Sequence, residues 1–412
     1  MLSLLLALAP LDGKTSGQSP QQNSPAIAKL VLAQHVETLG PPAREPMIIE
    51  HPSGVQFVTG YMTPGRPQLW KSLDQGATWT RIDVGSEAQG AIGNSDCDLA
   101  VAPDGTIYFV SLIYNGKEQG IGIAVGVSRD IGATWSWASI SKVRFDDRPW
   151  VAIAPDGTAH IIWNNGSGVS HSVSRDRGVT WTTGLRIHYK GGSSHLAVGP
   201  NGEVAARIIP LSVAGSTYHH GVDLIAVSTD GGATWQKHPA PGQRDWHLEI
   251  NQPGKIPRWV EPIAWDAQGS LYSLWTNRTG VWLARSADRG VTWRQWRVSE
   301  TTDLAHFPYM IARGKGELAA TWFTGSRETL QWHAARIDVR DGEAHPRVME
   351  SAALRTDSWE PPDRPGNPAV RDTAGEYLGI TFLRDGGFAV VSPIQDVLNW
   401  RFGFSWWRFE GH

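Results

Sequence analysis

Acidic and basic side chains stand directly before a series of apolar segments along this 412-residue chain. If the segments converge on one axis, these leading residues surround a pocket of the kind that a small polar ligand needs. Carboxyl groups in such a pocket can act as general acids and bases. The leading residues include Arg44, Asp96, Asp98, Asp146, Asp147, Arg148, His195, Arg258, Glu261, His306 and Tyr309.

Several other kinds of chemistry leave no pattern in the sequence. The His and Asp residues have no metal-ligand spacing, and there is no glycine-rich phosphate loop or Gly-x-Ser-x-Gly turn. The formal net charge is -3 and the pI is near 6.5, which gives no electrostatic footprint for nucleic acid or an anionic membrane. We therefore expect no metal, no cofactor and no nucleic-acid partner.

Five copies of the phrase Ser-x-Asp-x-Gly-x-Thr-Trp predict the elements that position these residues. The recurrence of one phrase at similar intervals along a chain is typical of a repeat architecture built from one supersecondary unit. Within each copy the Asp can accept backbone N–H groups of its own turn, and the Gly supplies a positive φ, so we expect a structural hairpin turn. The copies begin at Ser72, Ser128, Ser174, Ser228 and Ser286.

A second phrase recurs between these turns and consists of an apolar strand, a Pro-Asp-Gly-like turn and another strand. With the strands that flank the first phrase, it supplies a four-stranded unit. The sequence therefore predicts an all-β fold, a β-propeller of four-stranded antiparallel blades, with seven blades preferred and six as the alternative. Clear copies begin at Leu99, Val151 and Leu196, and weaker copies begin at Met47, Pro262, Met310 and Ala369.

The two ends of the chain complete the predicted organisation. We interpret SPIQDVLNW from Ser392 as a decayed copy of the first phrase, and AKLVLAQHV from Ala28 as a strand that closes the ring. Residues 26–412 are expected to form one propeller domain. Residues 1–25 read as a signal-like segment without a basic start, followed by a polar linker, and no segment is long enough to span a membrane. These features favour a secreted or periplasmic monomer.

The Ser-x-Asp-x-Gly-x-Thr-Trp phrase resembles the Asp box, or BNR repeat, of the sialidase (neuraminidase) superfamily. The resemblance extends over nearly the whole chain from Arg44, and it implies a pocket on the face opposite the boxes. It also implies three arginines that hold the substrate carboxylate. The motif AREPMII places one at Arg44, VEPIAWDAQGSLYSLWTNRTG places a tyrosine-activating Glu at Glu261 and a second arginine at Arg278, and GSRETLQWHAARID places the third at Arg327.

The sequence also departs from the family pattern. No Asp lies between Arg44 and the first box, where the acid/base Asp is expected, and NPAV from Asn367 lacks the expected nucleophilic Tyr. We interpret Asp96 or Asp147 as the substitute acid/base and Tyr309 as the substitute nucleophile; a packed aromatic is the alternative for Tyr309. Glu261 can instead pair with Arg258, and Arg258 and His195 are further substrate-binding candidates.

The resemblance implies a glycoside hydrolase of the exo-α-sialidase type, acting on sialosides or related acidic sugars at the axial pocket. A non-catalytic propeller that binds glycan or protein is the alternative. A hydrolase of neutral glycans is a third possibility, and two carboxylates facing each other across a cleft would be its sign.

Overall fold

The computed structural model describes most of the chain beyond its first 29 residues, and every structural statement below refers to that part. The described residues are 30–61, 65–115, 119–166, 168–210, 221–242, 260–277, 280–300, 305–324, 330–349, 356–357, 378–396 and 399–410. They form 29 β-strands and a single 3-10 turn at Glu87–Gln89. None of the described residues forms a helix with the length and hydrophobicity that a membrane span requires.

The first three blades follow one another along the chain, and in each the strand nearest the axis comes first. Blade 1 contains β2 (Arg44–Glu50), β3 (Gln56–Tyr61), β4 (Gln68–Ser72) and β5 (Thr80–Ile82). Blade 2 contains β6 (Cys97–Val101), β7 (Ile107–Tyr114), β8 (Gly120–Ser128) and β9 (Ser136–Ser141). Blade 3 contains β10 (Asp146–Ile153), β11 (Ala159–Asn165), β12 (Gly168–Ser174) and β13 (Leu185–His188).

The remaining blades continue this order. Blade 4 contains β14 (Gly192–Val198), β15 (Val204–Ile209), β16 (Leu224–Ser228) and β17 (Gln236–Pro239). Blade 5 contains β18 (Ile263–Trp265), β19 (Leu271–Asn277), β20 (Gly280–Ser286) and β21 (Arg294–Glu300). Blade 6 contains β22 (Ala305–Arg313), β23 (Glu317–Thr324), β24 (Leu330–Arg340) and β25 (Glu343–Val348), and β26 (Thr356–Asp357) pairs with β24. Blade 7 contains β27 (Ile380–Phe382), β28 (Phe388–Asp396), β29 (Arg401–Phe409) and β1 (Leu32–Leu39).

The seven blades form a closed ring. Each inner strand packs beside the inner strand of the next blade, and β27 packs beside β2. The N-terminal strand β1 pairs antiparallel with β29 as the outermost strand of blade 7, so the two ends of the chain close the ring together. The described strands therefore confirm the all-β propeller and the preferred count of seven blades.

Hydrophobic clusters fill the spaces between neighbouring blades, and large aromatic side chains occupy much of this volume. Trp163, Trp322 and Trp406 are fully buried in three different blades. A further cluster fills the axis and includes Trp150 and Tyr309. The ring is thus a rigid frame with a packed centre, and its two open faces are built from turns and loops.

The Asp boxes are hairpin turns, as the sequence predicts. In the box at Ser228, the Ser228 hydroxyl accepts the Gly232 N–H at 2.8 Å, and the Asp230 carboxylate accepts the Thr234 N–H at 2.9 Å. Gly232 has a φ of 88°, and the Trp235 indole donates to its carbonyl at 3.1 Å. The Asp carboxylate thus hydrogen-bonds within its own turn. The boxes lie on the face opposite the residues that begin the inner strands.

Two details of the predicted blade 7 are wrong. Ser392 lies within β28, the second strand of the blade, so SPIQDVLNW is not a decayed box. The phrase read from Ala369 is shifted by one strand, because the segment taken as its second strand contains β27, the inner strand. The true inner turn is residues 383–387, where the Leu383 N–H donates to the Gly387 carbonyl at 2.9 Å.

Candidate functional site

The inner strands of blades 1, 3 and 6 share a strained start on the face opposite the boxes. Glu45, Arg148 and Phe307 have φ values of 45°, 46° and 45°, and each precedes a proline. In all three strands the pairing register shifts at this point, which indicates a bulge. Positive φ at residues other than glycine and bulges both concentrate at functional sites, where they aim side chains out of the regular ladder. These starts mark one mouth of the axis as the candidate site.

Asp96 and Asp147 form a carboxyl pair at this mouth. Asp96 directly precedes β6 of blade 2, and Asp147 lies near the start of β10 in blade 3. The two carboxyl groups lie close enough to interact through charge and a hydrogen bond, and both interactions act on the pKa of Asp147. Burial, the neighbouring Asp96 charge and this hydrogen bond raise the pKa of Asp147 to about 7, although Arg148 acts in the opposite direction. Asp147 is therefore a carboxyl group that can carry a proton near neutral pH.

Glu45 adds a third carboxyl group to the cluster. Its side chain is 2% exposed, and it accepts a hydrogen bond of 2.9 Å from the Tyr61 hydroxyl. Burial raises the pKa of Glu45, with Asp96 acting in the same direction and Arg44 and Arg148 opposing it. The carboxyl groups of blades 1, 2 and 3 are thus close enough to influence one another's titration.

Arg44 provides positive charge beside these acids and remains partly exposed. Its guanidinium lies 3.7 Å from the Glu45 carboxylate and 5.5 Å from the centre of the Tyr61 ring. Arg148 is also partly exposed, at the start of blade 3. The mouth therefore combines three carboxyl groups with two guanidinium groups, an arrangement that can bind an anionic ligand and transfer a proton to it.

A layer of side chains closes the axis beneath this cluster. Met47, Asp98, Trp150, His195 and Tyr309 occupy equivalent positions in their inner strands, because each pairs with the residue twelve positions further along. The Trp150 ring centre lies 5.1 Å from that of His195 and 6.5 Å from that of Tyr309. These side chains form the floor of the candidate site.

His195 and Tyr309 hydrogen-bond to each other in this floor, with His195 Nε2 and the Tyr309 hydroxyl 3.1 Å apart. The Ile263 N–H points to His195 Nδ1 at 3.4 Å, which assigns the imidazole proton to Nε2. Burial lowers the pKa of His195 to about 4. Burial and the Asp98 charge raise the pKa of Tyr309 well above its usual value. Both side chains are therefore neutral at pH 7, and Tyr309 is only 4% exposed.

Asp98 is a buried acid of the same floor. Its carboxylate accepts the backbone N–H groups of Leu99 at 2.8 Å and Val151 at 2.9 Å. Burial nevertheless raises the pKa of Asp98 to about 7. Asp98 thus ties blade 2 to blade 3 below the Asp96 and Asp147 pair.

Glu261 lies in a buried ionic group between blades 4 and 5. Its carboxylate pairs at 2.7 Å with the guanidinium of Arg207, and both side chains are fully buried. Arg207 also pairs with Asp223 and donates to the Leu224 carbonyl at 3.1 Å. Glu261 is thus bound to an arginine in the second strand of blade 4.

The structure brings together only part of the predicted site. Asp96, Asp147 and Arg44 lie in one cluster, and His195 and Tyr309 lie together in the floor beneath it. Glu261 lies in the separate ionic group with Arg207. The other three candidates, Arg258, Arg278 and Arg327, lie outside the described residues. No group of three His, Cys, Asp or Glu side chains in the described part of the chain is arranged to hold a metal ion.

Three functional candidates were missed at the level of the sequence. Glu45 was not among the predicted site residues, although Glu-Pro, Arg-Pro and Phe-Pro at the starts of blades 1, 3 and 6 share one pattern. Tyr61 has no local signal, because its partner is 16 residues away. Arg207 could have been noticed as a charge within the apolar strand VAARII.

The opposite mouth of the axis has a different character. A cavity of about 650 Å³ opens there, and its lining includes the inner turns of the blades. Pro52, Pro103, Pro155 and Pro200 contribute to the lining. The cluster of Glu45, Asp96 and Asp147, in which carboxyl groups raise one another's pKa, is at the other mouth, so we place the candidate site there.

A comparison with protein-family models gives a match to the BNR/Asp-box repeat over residues 226–237. This match covers the box at Ser228 and agrees with the four other copies of the phrase. The chain is a β-propeller that carries Asp-box repeats. The resemblance stated from the sequence is therefore confirmed at the level of the repeat and the fold. A comparison of this Asp-box propeller with the curated proteins gives no match.

Solved structures share the fold of the Asp-box propeller at low sequence identity. An α-L-arabinofuranosidase from Fusarium graminearum is 13% identical with a TM-score of 0.51, and the match covers 92% of this chain and 98% of that one. A PL25 ulvan lyase is 12% identical with a TM-score of 0.51, covering 90% and 95%. A protein of unknown function from Dyadobacter fermentans is 13% identical with a TM-score of 0.52, covering 94% and 100%. At these identities the similarity extends to the fold alone.

Proposed function

We propose that this Asp-box propeller is a glycoside hydrolase that acts on sialosides or related acidic sugars at the mouth formed by blades 1 to 3. The observation that carries the proposal is the carboxyl pair of Asp96 and Asp147, in which the pKa of Asp147 is raised to about 7. A glycosidase needs a carboxylic acid that is still protonated near its working pH to protonate the leaving oxygen. Asp147 has this property.

The pair acts as one acid/base unit in this proposal. Hydrogen-bonded carboxyl groups are closer than the roughly 5 Å that separates the acid and the nucleophile of a retaining glycosidase. Asp96 is therefore the partner that raises the pKa of Asp147, and the nucleophile comes from elsewhere at the mouth. Arg44 and Arg148 bind the sugar carboxylate, because guanidinium groups pair with carboxylates through two parallel hydrogen bonds. Arg258, Arg278 and Arg327 remain candidates for the same task.

The names of the structural neighbours support a carbohydrate substrate. One neighbour is an arabinofuranosidase, and another is an ulvan lyase described in complex with an oligosaccharide of glucuronic acid and sulfated rhamnose. Both act on glycans, and one of them binds an acidic sugar. Propellers host unrelated functions, so the argument for this chain rests on its own carboxyl pair.

A second candidate function is a non-catalytic propeller that binds glycan. The environments of Glu261 and Tyr309 favour it, since the family resemblance assigns the activating Glu to Glu261 and the sequence suggests Tyr309 as the substitute nucleophile. Glu261 is fully buried against Arg207, and Tyr309 is buried against His195. Neither contact leaves these groups free for the chemistry that the resemblance implies. In our proposal they support the floor and wall of the site.

The proposal extends to the location and assembly of the chain. An extracellular glycan substrate would agree with the signal-like residues 1–25. We infer a secreted or periplasmic monomer, with residues 26–412 as the propeller domain.

Hydrolysis of a panel of fluorogenic glycosides tests the proposal. The panel contains an α-sialoside, a β-glucuronide and an α-L-arabinofuranoside, and the proteins are the native chain, Asp147→Asn and the control Asp341→Asn in an exposed turn of blade 6. We expect the native chain and the control to hydrolyse an acidic glycoside. Asp147→Asn should lose roughly 100-fold or more in kcat/KM, which is the scale of general acid catalysis.

The leaving group distinguishes a general acid from a structural residue. A dinitrophenyl leaving group needs little protonation, so Asp147→Asn should lose far less activity on such a substrate. Cleavage of the neutral arabinofuranoside alone would contradict the acidic sugar. An absence of turnover together with retained glycan binding would favour the non-catalytic candidate.

A further inference from the structure

Two aromatic side chains are almost fully exposed on the face that carries the carboxyl cluster. Trp400 is 80% exposed and Tyr189 is 79% exposed. Among the described residues, the three next most exposed large hydrophobic side chains are aliphatic and lie in the Asp boxes of the opposite face. They are Leu73, Val179 and Val291.

The strand directions fix the face on which each aromatic residue lies. Trp400 lies between the end of β28 and the start of β29, and β28 runs away from the inner turn of blade 7. Tyr189 lies between the end of β13 and the start of β14, the inner strand of blade 4. Both positions are therefore on the face where the inner strands begin. Blade 7 and the junction of blades 3 and 4 lie on opposite sides of the seven-membered ring.

Trp400 lies at a position in a hairpin turn where tryptophan is unusual. Its φ is 53°, in the left-handed region that favours Gly, Asn and Asp. A bulky residue is strained there, and an exposed indole gains nothing from burial to offset the strain. The Phe402 ring meets the indole edge to face with centroids 6.3 Å apart, which helps to orient it. Neither conformational preference nor core packing explains a tryptophan at this position.

We propose that Trp400 and Tyr189 are sugar-stacking subsites that hold a polymeric glycan across this face. The inference rests on the proposed function and extends it from a single sugar to a chain of sugars. A sugar ring presents an apolar C–H face that fits the flat, electron-rich face of an indole or phenol. Trp and Tyr supply large contact areas with few rotatable bonds, so little conformational entropy is lost on binding.

A protein partner fits these positions less well. A stable protein interface buries roughly 800 Å² on each partner around a contiguous apolar centre. Here the two aromatic residues are on opposite sides of the ring, and each is next to charged groups. Arg401 beside Trp400 pairs with Glu37 at 2.6 Å, and Lys190 follows Tyr189. Separate aromatic platforms in a polar surface suit a long polar ligand that presents one ring to each of them.

Affinity electrophoresis through gels that contain a polysaccharide tests the inference. The probes are polysialic acid and ulvan, and every protein carries Asp147→Asn so that hydrolysis does not remove the probe. The variants Trp400→Ala and Tyr189→Ala are compared with Trp400→Phe and with Leu73→Ala, a control of similar exposure on the box face. On at least one probe we expect each alanine variant to raise the apparent Kd by about fivefold or more, which is the loss of about 1 kcal/mol.

The controls separate stacking from general damage. Trp400→Phe should retain most of the binding, Leu73→Ala should match its Asp147→Asn parent, and the melting temperatures should agree. The inference would be overturned if Trp400→Ala and Tyr189→Ala were retarded as strongly as the parent in the gels with polysialic acid and in the gels with ulvan. It would also be overturned by a dimeric parent that Trp400→Ala converts to a monomer, because Trp400 would then be a protein contact. Hydrolysis retained by Asp147→Asn would contradict the proposed function instead, and it would be seen in the glycoside panel.

Discussion

At the residue scale, the properties of the candidate site come from partly buried groups of like charge that lie close together. Burial and Asp96 act in the same direction on Asp147, and the opposing charge of Arg148 does not cancel them. Two carboxyl groups in contact cannot both be ionised without a large electrostatic penalty, so the pair retains a proton. This gives blades 2 and 3 an acid that is poised near pH 7.

The buried group of Arg207, Asp223 and Glu261 leads to a prediction about stability. Arg207→Met leaves the fully buried Glu261 carboxylate and the partly exposed Asp223 carboxylate without their guanidinium partner, which should lower the free energy of unfolding by about 3–5 kcal/mol. Urea denaturation followed by tryptophan fluorescence measures this difference.

A matched control is available at the end of β24, where Arg340 is exposed. Arg340→Met should change the free energy of unfolding by no more than about 0.5 kcal/mol. Equal stability of Arg207→Met and Arg340→Met would contradict the account of the buried group.

At the element scale, the Asp box works as a self-contained hydrogen-bonded turn. Hydrogen bonds from the Thr234 hydroxyl and N–H and from the Ser228 hydroxyl lower the pKa of Asp230 to about 2. A lowered pKa in the folded state means that the carboxylate contributes stability above its ordinary pKa of about 3.8. That contribution is lost as the pH falls from there towards 2.

Asp230→Asn tests this account of the box. It should lower the melting temperature at pH 7, and the difference from the native chain should shrink as the pH falls towards 2. Asp341→Asn, in an exposed turn that carries no box, should show no such pH-dependent difference. A constant difference between Asp230→Asn and the native chain across this pH range would show that the charge of Asp230 is not what stabilises the turn.

The sequence predicted the strand order and the number of blades well, but it did not predict the inner turn of blade 7. The five boxes and the inner turns repeat with clear local signals, so strand order and blade count could be predicted. In blade 7 the segments DTAG and RDGG both have the sequence of a turn. The burial of Phe388 and Val390 in β28 shows that RDGG is the inner turn. Local turn chemistry could not make that choice, because burial depends on the neighbouring blades.

At the scale of the whole molecule, the ring brings residues from distant parts of the chain to one mouth. Asp96 and Asp147 were predicted as site residues because each stands at the start of an inner strand. Their mutual contact could not be predicted, since it depends on the bulge near Asp147 and on how blades 2 and 3 pack. The pairing of Glu45 with Tyr61 was missed for the same reason. Alternation along a strand gives the face of a residue but not its partner in a bulged segment.

The measurement that tests the central claim most directly is the pH profile of kcat/KM on the best acidic glycoside. Asp147 must be protonated to act as the acid, so kcat/KM should fall as the pH rises through about 7. Asp96→Asn removes the neighbouring charge and should move this fall to lower pH. Arg148→Gln removes the opposing positive charge and should move it to higher pH.

Shifts in these opposite directions are the result that the account predicts. Because Asp96 and Arg148 act on Glu45 in the same directions, the loss of activity in Asp147→Asn is what assigns the fall to Asp147. A native chain without turnover, or a fall in kcat/KM that stays at the same pH in both variants, would contradict the claim that the Asp96 and Asp147 pair is the acid of a glycoside hydrolase.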